Sequence, residues 1–199
     1  MSAEFHFAID VPLLSGPRVC LRGWRESDLA PCAAMNADAE VMRHFPATLT
    51  RSESDAIVQR INAHFEQYGF SLWVLEIPGV LPFAGFVGLL RVAFNTHFTP
   101  AVEIGWRLVR PAWGHGYATE AAQSVLRHAF TELKLKQIVS FTVPANLPSQ
   151  AVMQRLGMTT QARDNFEHPR LLKGHPLSVH RLYRLQRAQW LATAGNQVR

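Results

Sequence analysis

Near its start the chain alternates apolar and polar positions over Arg18, Val19, Cys20, Leu21 and Arg22, the two-residue period of a short strand. Glu26, Ser27 and Asp28 then supply caps for a helix reaching to about Asn36, with Pro31 in its tolerant first turn. Thr50 and Glu53 have the spacing of a capping box. Ile57, Ile61, His64 and Phe65 mark one face of the helix that follows, and Gly69 closes it. From Phe70 the period changes. Residues 70–77 and 83–92 are β-rich runs separated by Pro78, Gly79 and Pro82, which predicts an antiparallel pair, and a third run covers 101–109.

The strongest helical signal comes next, with Ala122, Val125, Leu126, Ala129, Phe130 and Leu133 at i, i+3, i+4, i+7, i+8 and i+11. Residues 137–143 read as a further strand, and Pro148 and Gly157 bracket a short helix. Residues 158–166 and 179–185 can form two closing strands, leaving a tail over 186–199. This order predicts a mixed α+β layer fold with a strand-helix-strand unit near its middle. No repeat or linker-like tract divides the sequence, so a single domain over 1–199 is expected, its core at about 18–185.

Composition narrows the class. Apolar residues make up 48% and charged residues only 18%, which excludes a disordered chain. The formal charge of +5 and pI near 9.8 point to an anionic partner without naming it. Cys20 and Cys32 lie outside any CxxC pair, so neither a disulfide framework nor a zinc site is indicated. The first ten residues lack a basic segment followed by an apolar one, and no apolar run approaches the roughly 20 residues of a membrane helix. A soluble, cytoplasmic protein with no membrane partner is expected.

The chemistry concentrates at residues 108–120, where a strand passes into the strongest helix. Gly114 and Gly116 let the backbone approach a ligand, and the helix start offers unpaired N–H groups and a positive dipole end. Two glycines alone make only a tight turn. Between a strand and an amphipathic helix they outline a pyrophosphate cradle. A dinucleotide fingerprint is not met, because Thr119 occupies the third glycine position and residues 137–143 contain no acid. No Gly-Lys-Ser/Thr follows either, which removes a P-loop.

The stretch Trp113-Gly-His-Gly-Tyr-Ala-Thr-Glu-Ala121 resembles motif A of the GNAT superfamily of acetyl-coenzyme A-dependent N-acetyltransferases, with Gly116 and Ala118 at its small positions. Trp113 stands where the motif has Gln or Arg, and in this it resembles the RimJ/RimL-like branch. Residues 146–158 and 19–28 are similar to further segments of that branch, so the resemblance spans about 18–185. It implies a GNAT fold: a mixed, mostly antiparallel central sheet of about 6–7 strands, helices on both faces, splayed at the cofactor cleft.

The resemblance also implies site residues. Backbone groups of Arg107, Leu108 and Val109 would take the pantetheine arm alongside their strand, and amides of Trp113, Gly114, His115, Gly116, Tyr117 and Ala118 would hold the pyrophosphate. Asn146 and Ser149 would approach the pantetheine and sulfur. Acetyl-coenzyme A is then the co-substrate, no metal is required, and a homodimer is the common assembly. The acceptor is a primary amine attacked directly in a ternary complex, either a protein N-terminus or a small polyamine, amino acid or drug. A non-catalytic acyl-coenzyme A binder is a further reading. Nucleic acid is not an expected partner, because the basic residues are scattered.

Acyl transfer to an amine needs a base for the ammonium proton and an acid for the departing thiolate. Glu103, alone in an otherwise apolar strand, is the candidate base, though strand alternation could equally turn it outward. Ser149 is the candidate acid or, alternatively, a helix-capping hydroxyl. Met153 occupies the place of the tyrosine used by other branches. His168 could line an acceptor pocket and relay a proton, while His175 and His180 read as loop histidines bonded to backbone. Trp73 and Trp106 are substrate-side candidates that could equally be core or cleft wall.

Overall fold

The computed structural model describes residues 5–8 and 10–195. They group into two compact units, one holding the chain up to residue 90 with 105–125, the other 91–104 with the chain from 126 onward.

The first unit contains strands β1 (Leu14–Ser15), β2 (Cys20–Arg22), β3 (Leu72–Ile77) and β4 (Leu81–Arg91), which pair antiparallel in chain order, Leu21 facing Leu75 and Trp73 facing Val87. Helices α1 (Leu29–Ala37), α2 (Ala39–Met42) and α3 (Arg51–Tyr68) lie between β2 and β3 in sequence. The later half of β5 (Val102–Leu108) and the start of α4 (Tyr117–Thr131) complete the unit.

The capping box at α3 forms as its spacing predicts. Thr50 Oγ1 accepts from the Glu53 N–H, and the Glu53 carboxylate accepts from the Thr50 N–H at 2.8 Å. The buried stripe, however, is Ser54, Val58, Ile61, Asn62 and Phe65, with Ile57 and His64 only partly covered. Apolar periodicity misplaced it because two polar residues are buried with partners. Asn62 donates to the Val58 carbonyl and accepts from Ala8, and Ser54 accepts from Asn36. The connection between β3 and β4 is also tighter than predicted, since the Val80 N–H closes a turn on Ile77 and both Leu81 and Pro82 lie in β4.

One buried ion cluster ties this unit together. The Arg22 guanidinium donates to both Asp28 oxygens at 2.8 and 2.9 Å, to Glu76 at 2.6 Å and to the carbonyls of Gly23 and Pro82. Asp28 also accepts from the Arg25 N–H, fixing the entry to α1. With so many partners the charge is fully compensated, and the hydrogen bond to Asp28 leads the effects that raise the Arg22 pKa.

The second unit holds the first half of β5, the later part of α4, β6 (Gln137–Thr142), α5 (Leu147–Arg155), β7 (Thr159–Thr160), β8 (Phe166–Glu167), β9 (Val179–Gln186) and α6 (Arg187–Gly195). β5 runs parallel to β6 with Glu103 opposite Val139, and β6 is antiparallel to β9. Phe98, Val139, Phe166 and Leu182 form a core here, with Phe94 and Phe141 packed on it. The sheets are therefore mixed and mostly antiparallel. Nine strands occur among the described residues, three of them only two residues long, against the 6–7 expected.

Two expectations for this unit change. The strand predicted over 158–166 is broken into β7 and β8 by a 3-10 turn at Ala162–Asp164, because residues 159–163, polar except for Ala162, are exposed and Asp164 is drawn to Arg184 at 3.2 Å. The predicted tail contains α6, whose Trp190 packs on Phe130 at 5.5 Å while the Arg187 side chain donates to the Phe130 carbonyl. Among the described residues no helix is long and apolar enough to cross a membrane.

Candidate active site

Residues 107–118, all in the first unit, form the most informative segment. β5 reaches β4 unusually closely at Gly85, where a Cβ would stand 2.1 Å from the Arg107 carbonyl oxygen, so only glycine fits. The Val109 N–H is bonded to the Ala84 carbonyl at 3.1 Å. Of the three residues expected to offer backbone groups, Val109 thus has its donor committed to β4. Strand alternation turns the Leu108 N–H to the opposite edge. The Leu108 carbonyl receives the Trp113 indole N–H at 2.9 Å, folding the loop back on the strand end.

Beyond a 3-10 turn at Arg110–Ala112, Gly114 and Gly116 adopt φ of 78° and 83°. A Cβ on Gly114 would meet nothing within 4 Å, and one on Gly116 only Arg18 Nη2 at 3.6 Å. The loop is therefore open beside its glycines, ahead of a 15-residue helix whose first N–H groups lack intrahelical acceptors. This fits a pyrophosphate seated on main-chain amides. His115 and Tyr117 stack with ring centroids 5.4 Å apart, and Trp113 is 39% exposed, under the Arg43 guanidinium.

Sequence reasoning missed the residue that fixes this loop. The Arg18 side chain pairs with Glu120 at 2.8 Å, donates to the His115 carbonyl at 3.2 Å and lies 5.0 Å over the Tyr117 ring; its N–H also reaches Glu120. Glu120 belongs to the quoted motif, but nothing in the sequence named its partner 102 residues away.

Glu103 belongs to the second unit. The residue is only partly covered, yet protein surrounds its carboxyl densely enough that burial alone pushes its pKa up to about 8. Asn146 serves as N-cap of α5: its side-chain oxygen accepts from the Ser149 N–H at 3.3 Å and its amide donates to Thr142 at 3.0 Å. The capping role weighed for Ser149 is thus taken by Asn146. The Ser149 hydroxyl has no hydrogen-bond partner among the described residues. Met153 is buried.

Trp73 has no accessible surface. It packs edge-on against Phe65 and donates to the Pro12 carbonyl, so it is a packing residue in this structure. Trp106 is partly buried. His168 sits in the aromatic cluster of the second unit, 4.7 Å from Phe94 and 5.1 Å from His180 by ring centroid. Burial, His180 and Arg170 lower its pKa, and burial lowers that of His180. His175 and His180 bond to backbone, to the Leu177 N–H and the Ser178 carbonyl. Among the described residues no group of three His, Cys, Asp or Glu side chains is placed to hold a metal. A cavity of about 460 Å³ is lined by residues 92–95, 99 and 100, none of them a predicted site residue.

Comparison with known proteins adds a family, two relatives and two solved structures. Residues 18–159 match the model of the acetyltransferase (GNAT) domain. The chain is 25% identical to the uncharacterized N-acetyltransferase YnaD of Bacillus subtilis over 87% of its own length and 96% of the relative's. It is 32% identical to the FsC-acetyl coenzyme A-N(2)-transacetylase of Aspergillus fumigatus, over 63% of this chain and 55% of that protein. Among solved structures, an acetyltransferase (GNAT family) from Bacillus anthracis superposes with a TM-score of 0.72 at 22% identity, covering 89% and 99% of the two chains. Mycobacterium smegmatis RimJ in complex with CoA-disulfide superposes at 0.69 with 23% identity, covering 93% and 94%. At these identities the superpositions establish a shared fold.

Proposed function

The chain belongs to the GNAT acetyltransferase family and is an acetyl-coenzyme A-dependent N-acetyltransferase, and from that premise we propose how its own residues carry the transfer. The acetyl thioester of coenzyme A supplies the activated acyl group. Main-chain amides of residues 113–118 hold the pyrophosphate, and the free edge of β5 at Leu108, flanked by Arg107 and Val109, receives the pantetheine arm. Asn146 orders the start of α5 so that Ser149 can serve the sulfur.

A primary amine attacks the acyl carbon directly, without a covalent enzyme intermediate. Its nitrogen adds to the thioester carbonyl to give a tetrahedral intermediate, which collapses as the carbon–sulfur bond breaks. Glu103 accepts the ammonium proton and Ser149 gives one to the thiolate, to be reprotonated from solvent. The observation that carries this reading is the open loop of positive-φ Gly114 and Gly116 ahead of α4, and the burial that pushes the Glu103 carboxyl up to about 8 supports it as the base. The form of residues 113–121 supports the RimJ/RimL-like branch. Titration calorimetry with acetyl-coenzyme A tests the cradle: saturable binding is expected, and no heat change at millimolar cofactor refutes the assignment.

A further inference from the structure

β5 carries at Arg107 a charge that the protein does not neutralise. The guanidinium lies 4.2 Å over the Phe45 ring and 5.3 Å from that of Phe86. Nη1 donates to Asn36 Oδ1 at 2.6 Å, while Nε is buried with no partner. Among the described residues no carboxylate pairs with it. Asn36 is itself locked: it is fully buried, and its amide donates to Ser54 Oγ at 2.8 Å and faces Cys32 Sγ at 3.5 Å. The titratable group beside it, the Cys32 thiol, is held in its neutral form by burial.

The contrast with Arg22 is informative, because that buried guanidinium is met by two carboxylates and two carbonyls. A buried cation without a counter-ion is costly and is not retained by packing needs alone. Burial lowers Arg107 to about 10, which still leaves it charged at neutral pH. Its Nε–Nη2 edge donates to no protein atom. Because Nε is sealed within the protein, the guanidinium would meet a carboxylate through its remaining N–H groups, as charge and donor together.

We propose that the Arg107 side chain binds a carboxylate of the acceptor, so that the amine acetylated here carries a carboxylate close to its amino group. The source is a free amino acid or a peptide whose first residue is acidic. This rests on the reading above, in which the main chain of the same residue flanks the pantetheine. Polyamines and other polycations are disfavoured, since they would meet an uncompensated positive charge.

The test measures coenzyme A release with matched acceptors: free amino acids against their α-amides, and peptide amides beginning with Asp or Glu against those beginning with Asn or Gln. The carboxylated member of one pair is expected to win by about tenfold to a hundredfold in kcat/KM, and the winning pair identifies the source. Arg107→Met should erase that preference mainly through KM, and Arg107→Lys should keep part of it. Should Arg107→Met fail to fold, simple carboxylates lacking an amine must still inhibit the wild-type enzyme competitively against the acceptor, while their amides do not. Equal use of both members of every pair, a polyamine as best acceptor, or a preference that survives Arg107→Met overturns the inference while leaving the acetyltransferase reading intact. Absence of both acetyl-coenzyme A binding and turnover overturns both.

Discussion

Glu103→Gln isolates the group on which the proposed chemistry depends. The substitution keeps the shape of the side chain and removes its titration. In the native protein burial moves the carboxyl from 4.5 to about 8. At 1.36 kcal/mol per unit this shift amounts to about 3–5 kcal/mol, the lower end allowing for the residue's partial exposure. The sign follows from proton binding. Between pH 4.5 and 8 the folded state holds the Glu103 proton more tightly than the unfolded chain, so this group's stabilising contribution is full below 4.5 and is lost as pH rises through 8. Denaturant unfolding at several pH values should therefore show Glu103→Gln gaining on the native protein as pH rises. In parallel, kcat/KM for amine acetylation should rise through a limb near pH 8 in the native enzyme as the base ionises. That limb should vanish in Glu103→Gln, with kcat lowered by about 10²–10⁴-fold. A variant that keeps both the limb and kcat refutes Glu103 as base. A stability difference independent of pH refutes the raised pKa itself.

Three further outcomes follow from the same geometry. Gly116→Glu places a side chain and a like charge where φ is 83° and the loop is open, and it should abolish acetyl-coenzyme A binding by calorimetry; undiminished binding would remove the loop from the site. Ser149→Ala leaves the Asn146 cap in place, so thermal stability should hold while kcat falls by about tenfold or more; an unchanged kcat assigns the thiolate proton elsewhere. Asp28→Asn strips the doubly bonded carboxylate from buried Arg22, and chemical denaturation should show a loss of about 3–5 kcal/mol, whereas a loss under about 1 kcal/mol would mean that Glu76 suffices.

The sequence was most legible where local rules act alone. The Thr50 and Glu53 capping box, the face of α4 and the positive-φ glycines of the loop all follow from spacing within a few residues. It was less legible where a distant partner decides the outcome. Asn62 and Ser54 are buried because Ala8 and Asn36 satisfy them, and no periodicity of α3 could report that. Arg18 clamps the loop across 102 residues. Asn36, the one polar side chain of α1, gave no sign that it would accept from Arg107, 71 positions away. Ser149 was ambiguous between cap and acid until Asn146 was seen to be the cap.

The central claim is that this chain moves an acetyl group from coenzyme A to an amine. Incubation with acetyl-coenzyme A and an acceptor panel, followed by mass spectrometry of the amines and quantitation of free thiol, tests it most directly. One acetylated amine should appear for each coenzyme A released, at a rate that saturates in both substrates. Saturable acetyl-coenzyme A binding with no acetylated amine from free amino acids, peptides, polyamines or aminoglycosides would contradict it and leave an acyl-coenzyme A binding protein in its place.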